Sequence, residues 1–300
     1  VNGDVNIGGV VGSMAIEYDF DPEDDVKTTG KKSVKFTYKT KCIVRNCTNS
    51  GEITAKKNYV GGIVGRMDLG SLIACDNYGK ISSSDGNYIG GIAGKSDTII
   101  RNSATKCELS GADYIGGIAG EASKIVNSQS LVYVDDHGEY AGAIAGSAEK
   151  EKLSRNYCIS DTLGAIDDIN YAGAAEETTI DNFARFVDNN FNKKVNFTLK
   201  FVADDKEIAT LNYNYKDEIP DDEIPKIPEK RGYYGKWSDY DFKNVNHDAT
   251  ITAEYSRTMD ILSSDLKRDG KSVILVCGSF DDAASVSVSK ASENHAVDSY

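Results

Sequence analysis

Five glycine-rich pentads recur along the chain: Gly8-Gly9-Val10-Val11-Gly12, Gly61-Gly62-Ile63-Val64-Gly65, Gly90-Gly91-Ile92-Ala93-Gly94, Gly116-Gly117-Ile118-Ala119-Gly120 and a softened Gly142-Ala143-Ile144-Ala145-Gly146. From Gly61 onward the steps are 29, 26 and 26 residues. A period of that size is the mark of a stacked repeat, in which one unit cannot bury its own apolar face and needs a neighbour on each side.

Each repeat has two halves. The first is a polar residue, a tyrosine and an aliphatic ahead of the glycines: Asn58-Tyr59-Val60, Asn87-Tyr88-Ile89, Asp113-Tyr114-Ile115 and Glu139-Tyr140-Ala141. The second centres on asparagine and a small residue, as in Arg45-Asn46-Cys47, Arg101-Asn102-Ser103 and Val126-Asn127-Ser128. Three glycines in five positions disfavour a helix, each costing about 1 kcal/mol there. Short β-branched pieces between Gly, Asn, Ser and Asp turns favour strands. The expected fold is all-β: a parallel β-helix, or solenoid, with rungs of about 26–29 residues. Ile63, Ile92, Ile118 and Ile144 should form its apolar ladder, and Tyr59, Tyr88, Tyr114 and Tyr140 a second column. Leucine-rich repeats are disfavoured because leucine is sparse and no helical half is present, and propeller blades are longer than this unit.

The GGIVG and GGIAG cores, each followed by an asparagine-centred half, resemble the GLUG motif repeats of bacterial secreted and cell-surface proteins. The resemblance covers residues 1–175. It implies an extracellular bacterial setting, secreted or wall-attached, and carries no catalytic residues.

The first repeat departs from the pattern. Gly8 to Cys47 spans 39 residues where later units need about 14, so about 25 are inserted. The alternating runs Ile16–Phe20 and Val34–Tyr38 predict a β-hairpin near 14–40. Its aromatics Tyr18, Phe20, Phe36 and Tyr38 are candidate binding residues, although an edge cover for the open coil explains them equally well. After Cys158 the pattern decays, with Tyr171-Ala172-Gly173-Ala174-Ala175 as a faint last copy. Thr179 reads as an N-cap of a helix near 179–189 that closes the ladder, completing a first domain over 1–192.

Residues 193–257 read as a small β-module: a hairpin about Ala203–Lys206, a loop with Pro220, Pro225 and Pro228, and the closing strand Ala249–Tyr255. With its Gly-Tyr-x-x-x-Trp element it resembles the internalin-type B repeat, or Listeria–Bacteroides repeat. That resemblance implies a β-grasp-like fold and a spacer or interaction role. Trp237, the single tryptophan, is a core anchor or a sugar-stacking residue. Residues 258–300, with strand candidates 272–276 and 285–289, read as the start of a further, truncated β-module.

Composition limits the functions. Apolar residues make up 40% of the chain, enough for a core, and the net charge is −13, which disfavours nucleic acid. No apolar run is long enough to cross a membrane as a helix, so no direct membrane insertion is expected of this stretch. The chain starts within a repeat-like segment, which reads as a piece of a larger or processed protein. The six cysteines form no CxxC pair and there are three histidines, so no metal site is expected. Cys47 and Cys75 fall at equivalent places within bridging range, but stacked side chains point the same way, so free thiols are expected. The acidic run 19–25 lacks an EF-hand's glycine and closing glutamate. Cys277 and His295 have no third partner, and Asp68, Asp85, Asp97 and Asp113 fall in different corners.

The reading is a noncatalytic surface-protein region without a cofactor, serving as an adhesin or display stalk. Its partner would be a host or neighbouring-cell surface protein or glycan. Two alternatives are an accessory region of a larger secreted hydrolase and a glycan-binding module.

Overall fold

A computed structural model describes residues 1–15, 42–134, 137–230 and 233–257, together with the strands Lys267–Arg268 and Val273–Ile274. The chain divides into two compact units: Val1–Phe197 with Asn246–Asp248, and Thr198–Val245 with Ala249–Tyr300.

The first unit is a parallel β-solenoid built on three sheets. One sheet holds Asn2–Gly3, Ile53–Ala55, Ile81–Ser83, Ala104–Ser110, Gln129–Val134, Asn156–Ile159 and Ala175–Glu177 in that spatial order. The pentads open a second, narrow sheet of two-residue strands, running from Ile7–Gly8 through Val60–Gly61, Ile89–Gly90 and Ile115–Gly116 to Ala141–Gly142. They then enter a third sheet through Val11–Met14, Val64–Met67, Ala93–Arg101, Ala119–Val126 and Ala145–Ala148.

The isoleucine column keeps its register from rung to rung, although the third sheet shifts register between Ser96 and Ile99. Ile63 N–H donates to Ile92 O at 3.0 Å, Ile92 to Ile118 at 2.9 Å and Ile118 to Ile144 at 2.8 Å. All four isoleucines are fully buried. Burying an isoleucine side chain contributes roughly 1.5–3 kcal/mol, and the stack lets each rung collect that from both neighbours.

A second interior column is polar: Asn49, Asn77, Thr105 and Ser130, ending at Cys158. Asn77 Oδ1 accepts from Gly79 N and Asn49 Nδ2, Thr105 Oγ1 donates to Gly117 O, and Ser130 Oγ donates to Ala143 O. This column, with the carbonyl of the next rung, explains the second glycine of the first four pentads. A Cβ on Gly91 would lie 2.0 Å from Gly117 O and 2.7 Å from Thr105 Cγ2, and one on Gly62 would meet Gly91 O at 2.2 Å.

The asparagine-centred half makes a corner. Asn46, Ala74, Asn102, Asn127 and Arg155 hold left-handed angles, φ 50–54°. The next residue turns its side chain back: Cys47, Cys75, Ser103 and Ser128 each donate to the carbonyl two residues earlier. Cys42, Cys47, Cys75, Cys107 and Cys158 are free thiols. Directed at their own carbonyls, the Cys47 and Cys75 thiols leave their register positions unbridged.

The insertion leaves the third sheet after Met14 and returns at Cys42, where the next rung has only Asp68-Leu69-Gly70 between Met67 and Ser71. Residues 16–41 lie outside the described residues, and with them the expected hairpin, Tyr18, Phe20, Phe36, Tyr38 and the acidic run.

At the other end the faint copy at 171–175 does not continue the isoleucine column. Tyr171 and Ala175 close a tight turn with Gly173 at φ 76°, and Ala175–Glu177 pairs with Asn156–Cys158 in the first sheet. The column is covered by the loop 163–168, where Gly164 O accepts Ala143 N–H and Ala165 O accepts those of Ile144 and Ala145. The helix Ile180–Phe191 begins at Thr179, whose Oγ1 accepts Asn182 N–H at 3.3 Å, and buries Phe183 and Val187. It packs against strands of two successive rungs, Gln129–Val134 and Asn156–Ile159. No helix among the described residues is long and apolar enough to cross a membrane.

The second unit is a four-stranded sheet in the order Lys206–Tyr213, Phe197–Ala203, Ala249–Arg257, Tyr233–Trp237. Its first and last strands in sequence run parallel at the centre. Asp204 and Asp205, φ 46° and 61°, make the two-residue hairpin turn that strand twist favours. Phe201 is the core's hub, with Trp237 edge-on at 5.1 Å and Phe242 stacked at 6.2 Å. Lys267–Arg268 and Val273–Ile274 pair antiparallel, and the rest of 258–300 lies outside the described residues.

Candidate functional site

The tyrosine column occupies the corner between the first and second sheets. Tyr59, Tyr88, Tyr114 and Tyr140 all hold left-handed backbone angles, φ 58–66°, and Asn6 takes the same place in the first rung at φ 53°. The corner therefore imposes the conformation, which costs a side-chain-bearing residue roughly 1–2 kcal/mol. Ring stacking offsets it. Centroids lie 5.0, 4.7 and 4.5 Å apart along the column, with planes inclined by 14–21°.

The polar residue before each tyrosine ties the corner to its neighbour. Asn58 Oδ1 accepts Asn87 N–H at 2.9 Å, Asn87 Oδ1 accepts Asp113 N–H at 3.2 Å, and Asp113 Oδ1 accepts Glu139 N–H at 2.8 Å. Asp113 is thereby a backbone cap, and Asp68 is held by Arg66 Nε at 2.8 Å.

On the other flank runs the outward column Ser13, Arg66, Lys95, Glu121 and Ser147. The Arg66 guanidinium lies 5.3 Å from the Tyr59 ring centre and Lys95 Nζ 5.4 Å from that of Tyr88. Lys95 pairs with Glu121 at 2.7 Å. The Tyr88 phenol is pushed upward, first by desolvation and then by the Glu121 charge. The interior ring faces of the column cover one another, and Tyr140 at its end is 40% exposed. The arrangement sets a row of phenols beside a column that carries two cations, Arg66 and Lys95, and then the carboxylate of Glu121 at rung spacing.

A second concavity lies in the second unit. An open groove of about 610 Å³ is lined by Ile227, Pro228, Glu229, Lys230, Tyr233 and Tyr234. Tyr234 is 65% exposed. Lys230 sits 5.3 Å from the Tyr233 ring centre and 4.9 Å from that of Tyr255, and pairs with Asp204 at 3.0 Å. Trp237, the sugar-stacking candidate, is not among the groove's lining residues. Its indole N–H donates to Pro225 O at 2.8 Å, pinning the proline-rich stretch over the sheet.

Among the described residues no group of three His, Cys, Asp or Glu side chains is placed to hold a metal ion. The polar interior column and the left-handed tyrosines escaped sequence reasoning. The recurring glycine before each aliphatic was the available signal for the first, and Asn6 standing in the tyrosine column for the second. Comparison with family models, curated proteins and solved structures finds no match to this chain.

Proposed function

We propose that this chain is a noncatalytic region of a bacterial extracellular surface protein, acting as an adhesin or rigid display stalk. The observation that carries the reading is the unbroken register of outward columns, above all the stacked Tyr59, Tyr88, Tyr114 and Tyr140. A solenoid whose every rung is bonded to the next holds such a column stiffly and repeats it at about 4.8 Å. The resemblance of the pentads to GLUG repeats gives the extracellular, bacterial setting. The parallel central strands of the second unit support a β-grasp-like module of the internalin type. The partner is a surface protein or glycan of a host or neighbouring cell. Antibody raised against the solenoid should label intact producing cells, and a brief protease treatment should remove the label. Labelling that needs lysis first would defeat the reading.

The groove beside Tyr234 favours a second reading, a glycan-binding module, because an exposed aromatic ring offers a stacking face to a sugar. A glycan array probed with the protein and with Tyr234→Ala tests it. Hits lost in the variant support the module, and an array without hits removes it.

A further inference from the structure

The residue after each left-handed corner belongs to a column of its own: Cys47, Cys75, Ser103, Ser128 and Asn156. Its side chains point alike. Cys75 N–H donates to Ser103 Oγ at 3.4 Å, Ser103 N–H to Ser128 Oγ at 3.2 Å, and Ser128 N–H to Asn156 Oδ1 at 3.1 Å. The two thiols share the serines' direction. Cys47 Sγ lies 3.3 Å from Arg45 O and Cys75 Sγ 3.5 Å from Ile73 O, as Ser103 Oγ and Ser128 Oγ each lie 3.2 Å from the carbonyl two residues earlier. Asp76 N–H donates to Cys47 O at 3.0 Å, which fixes the two cysteines on adjacent rungs. Two thiols with one side-chain direction on adjacent rungs stand one strand spacing apart, about 4.8 Å.

That spacing defeats a disulfide and suits a metal bridge. A disulfide needs its sulfurs about 2.05 Å apart, which would pull two hydrogen-bonded rungs together. A metal–thiolate bond is about 2.3 Å by the zinc standard, so a sulfur–metal–sulfur line spans about 4.6 Å. An ion of that kind enters between the sulfurs without moving either rung. The number of ligands then selects the metal. Zinc takes four, and among the described residues no group of three His, Cys, Asp or Glu side chains is placed to hold an ion. The neighbours of Cys75 Sγ are oxygens, including Val44 O at 3.9 Å, and add no soft donor. Two thiolates in a line match a soft monovalent ion such as Cu(I).

We infer that Cys47 and Cys75 form a two-coordinate site for one soft monovalent cation of the Cu(I) class, bridging two rungs of the solenoid. Binding releases both S–H protons to solvent and forms two sulfur–metal bonds, with no change of oxidation state. Burial pushes the Cys75 thiol up to about 11, so it is protonated at neutral pH and binding tightens as pH rises. The other described thiols lack such a partner. Cys42 stands beside Gly70, Cys107 beside Val132, and Cys158 beside Ser130 and Glu177. The pairing rests on rung spacing and is independent of the surface-protein reading.

The test titrates the reduced chain with Cu(I), kept reduced by ascorbate and buffered by a chromogenic chelator. A Cys277→Ser background removes the thiol outside the described residues. One ion per chain should be retained, and X-ray absorption of that complex should show two sulfurs in a near-linear arrangement. Cys47→Ser and Cys75→Ser each leave a single thiolate and should weaken retention at least about 100-fold. Both install the residue type already present at Ser103 and Ser128, which keeps the corner's hydrogen bond. Cys42→Ser should retain the ion unchanged. Cu(I) should raise the melting temperature of the parent and of Cys42→Ser, and of neither pair variant. A parent that yields its ion to the chelator, a metal with three or more sulfurs, retention that survives either pair substitution, or equal loss in Cys42→Ser would each overturn the assignment.

Discussion

The rings of Tyr114 and Tyr140 stack 4.5 Å apart although both residues hold left-handed backbone angles, φ 58° and 59°. Stacking and backbone preference thus oppose each other at one position, and substitution separates them. Tyr114→Ala keeps the strain and loses two ring contacts worth about 0.5–1.5 kcal/mol each. Tyr114→Gly loses the same contacts but releases roughly 1–2 kcal/mol of strain. Urea unfolding should therefore rank wild type above Tyr114→Gly and Tyr114→Gly above Tyr114→Ala. The reverse order of the two variants would mean that the corner does not impose its angle.

The isoleucine column should respond as a packed core. Ile118→Val is expected to cost about 0.5–1.5 kcal/mol and Ile118→Ala about 2–5 kcal/mol. Equilibrium unfolding of both variants checks this, and an Ile118→Ala loss under about 1 kcal/mol would show that the rungs do not close on that residue.

Two glycines make a contrasting pair. Gly91→Ala drives a methyl group into Gly117 O and Thr105, both fixed by interior hydrogen bonds, and should cost more than about 3 kcal/mol. Gly173 has φ 76°, and a methyl group added there would meet no atom within 4 Å, so Gly173→Ala should cost about 1 kcal/mol of backbone strain. Thermal melts of the two variants measure the difference.

Much of this was legible because the repeat displays the same residue at the same structural place. Four isoleucines, three after a glycine pair and Ile144 after Gly142-Ala143, announce a ladder, and Thr179 with Phe183 and Val187 announces a capped helix. The polar interior column was hidden because its members differ: asparagine, threonine, serine and cysteine share a register but no residue type. Left-handed tyrosines were hidden because nothing in tyrosine's own preference points there. The loop over the last rung was hidden for a third reason. Gly164 and Ala165 cover it through backbone carbonyls, which leave no mark on sequence, while the more repeat-like Tyr171–Ala175 turns back on itself.

The buried thiols predict an alkaline limit. Burial, the leading cause in each case, pushes Cys75 up to about 11 and Cys107 and Cys158 up to about 12, from an ordinary 9.0. Between the ordinary and raised values the folded chain binds more protons than the unfolded one. Their contribution is therefore complete below pH of about 9 and is lost as pH rises through the raised values. The urea midpoint should fall above pH of about 9. Cys75→Ser, which installs the residue type already used at Ser103 and Ser128, should make the fall shallower. An equally steep fall in the variant would assign the alkaline loss to other groups.

The stacking itself is tested most directly by a distance. Ser13 and Ser147 occupy one outward column, joined through Arg66, Lys95 and Glu121, and so stand four rungs apart. At about 4.8 Å per rung their backbones should be about 19 Å apart despite the length of chain between them. Spin labels placed at the two positions through unnatural amino acids, leaving the native cysteines untouched, should give one narrow distribution near 20 Å by pulsed electron resonance. A broad distribution, or one centred beyond about 30 Å, would contradict the stack.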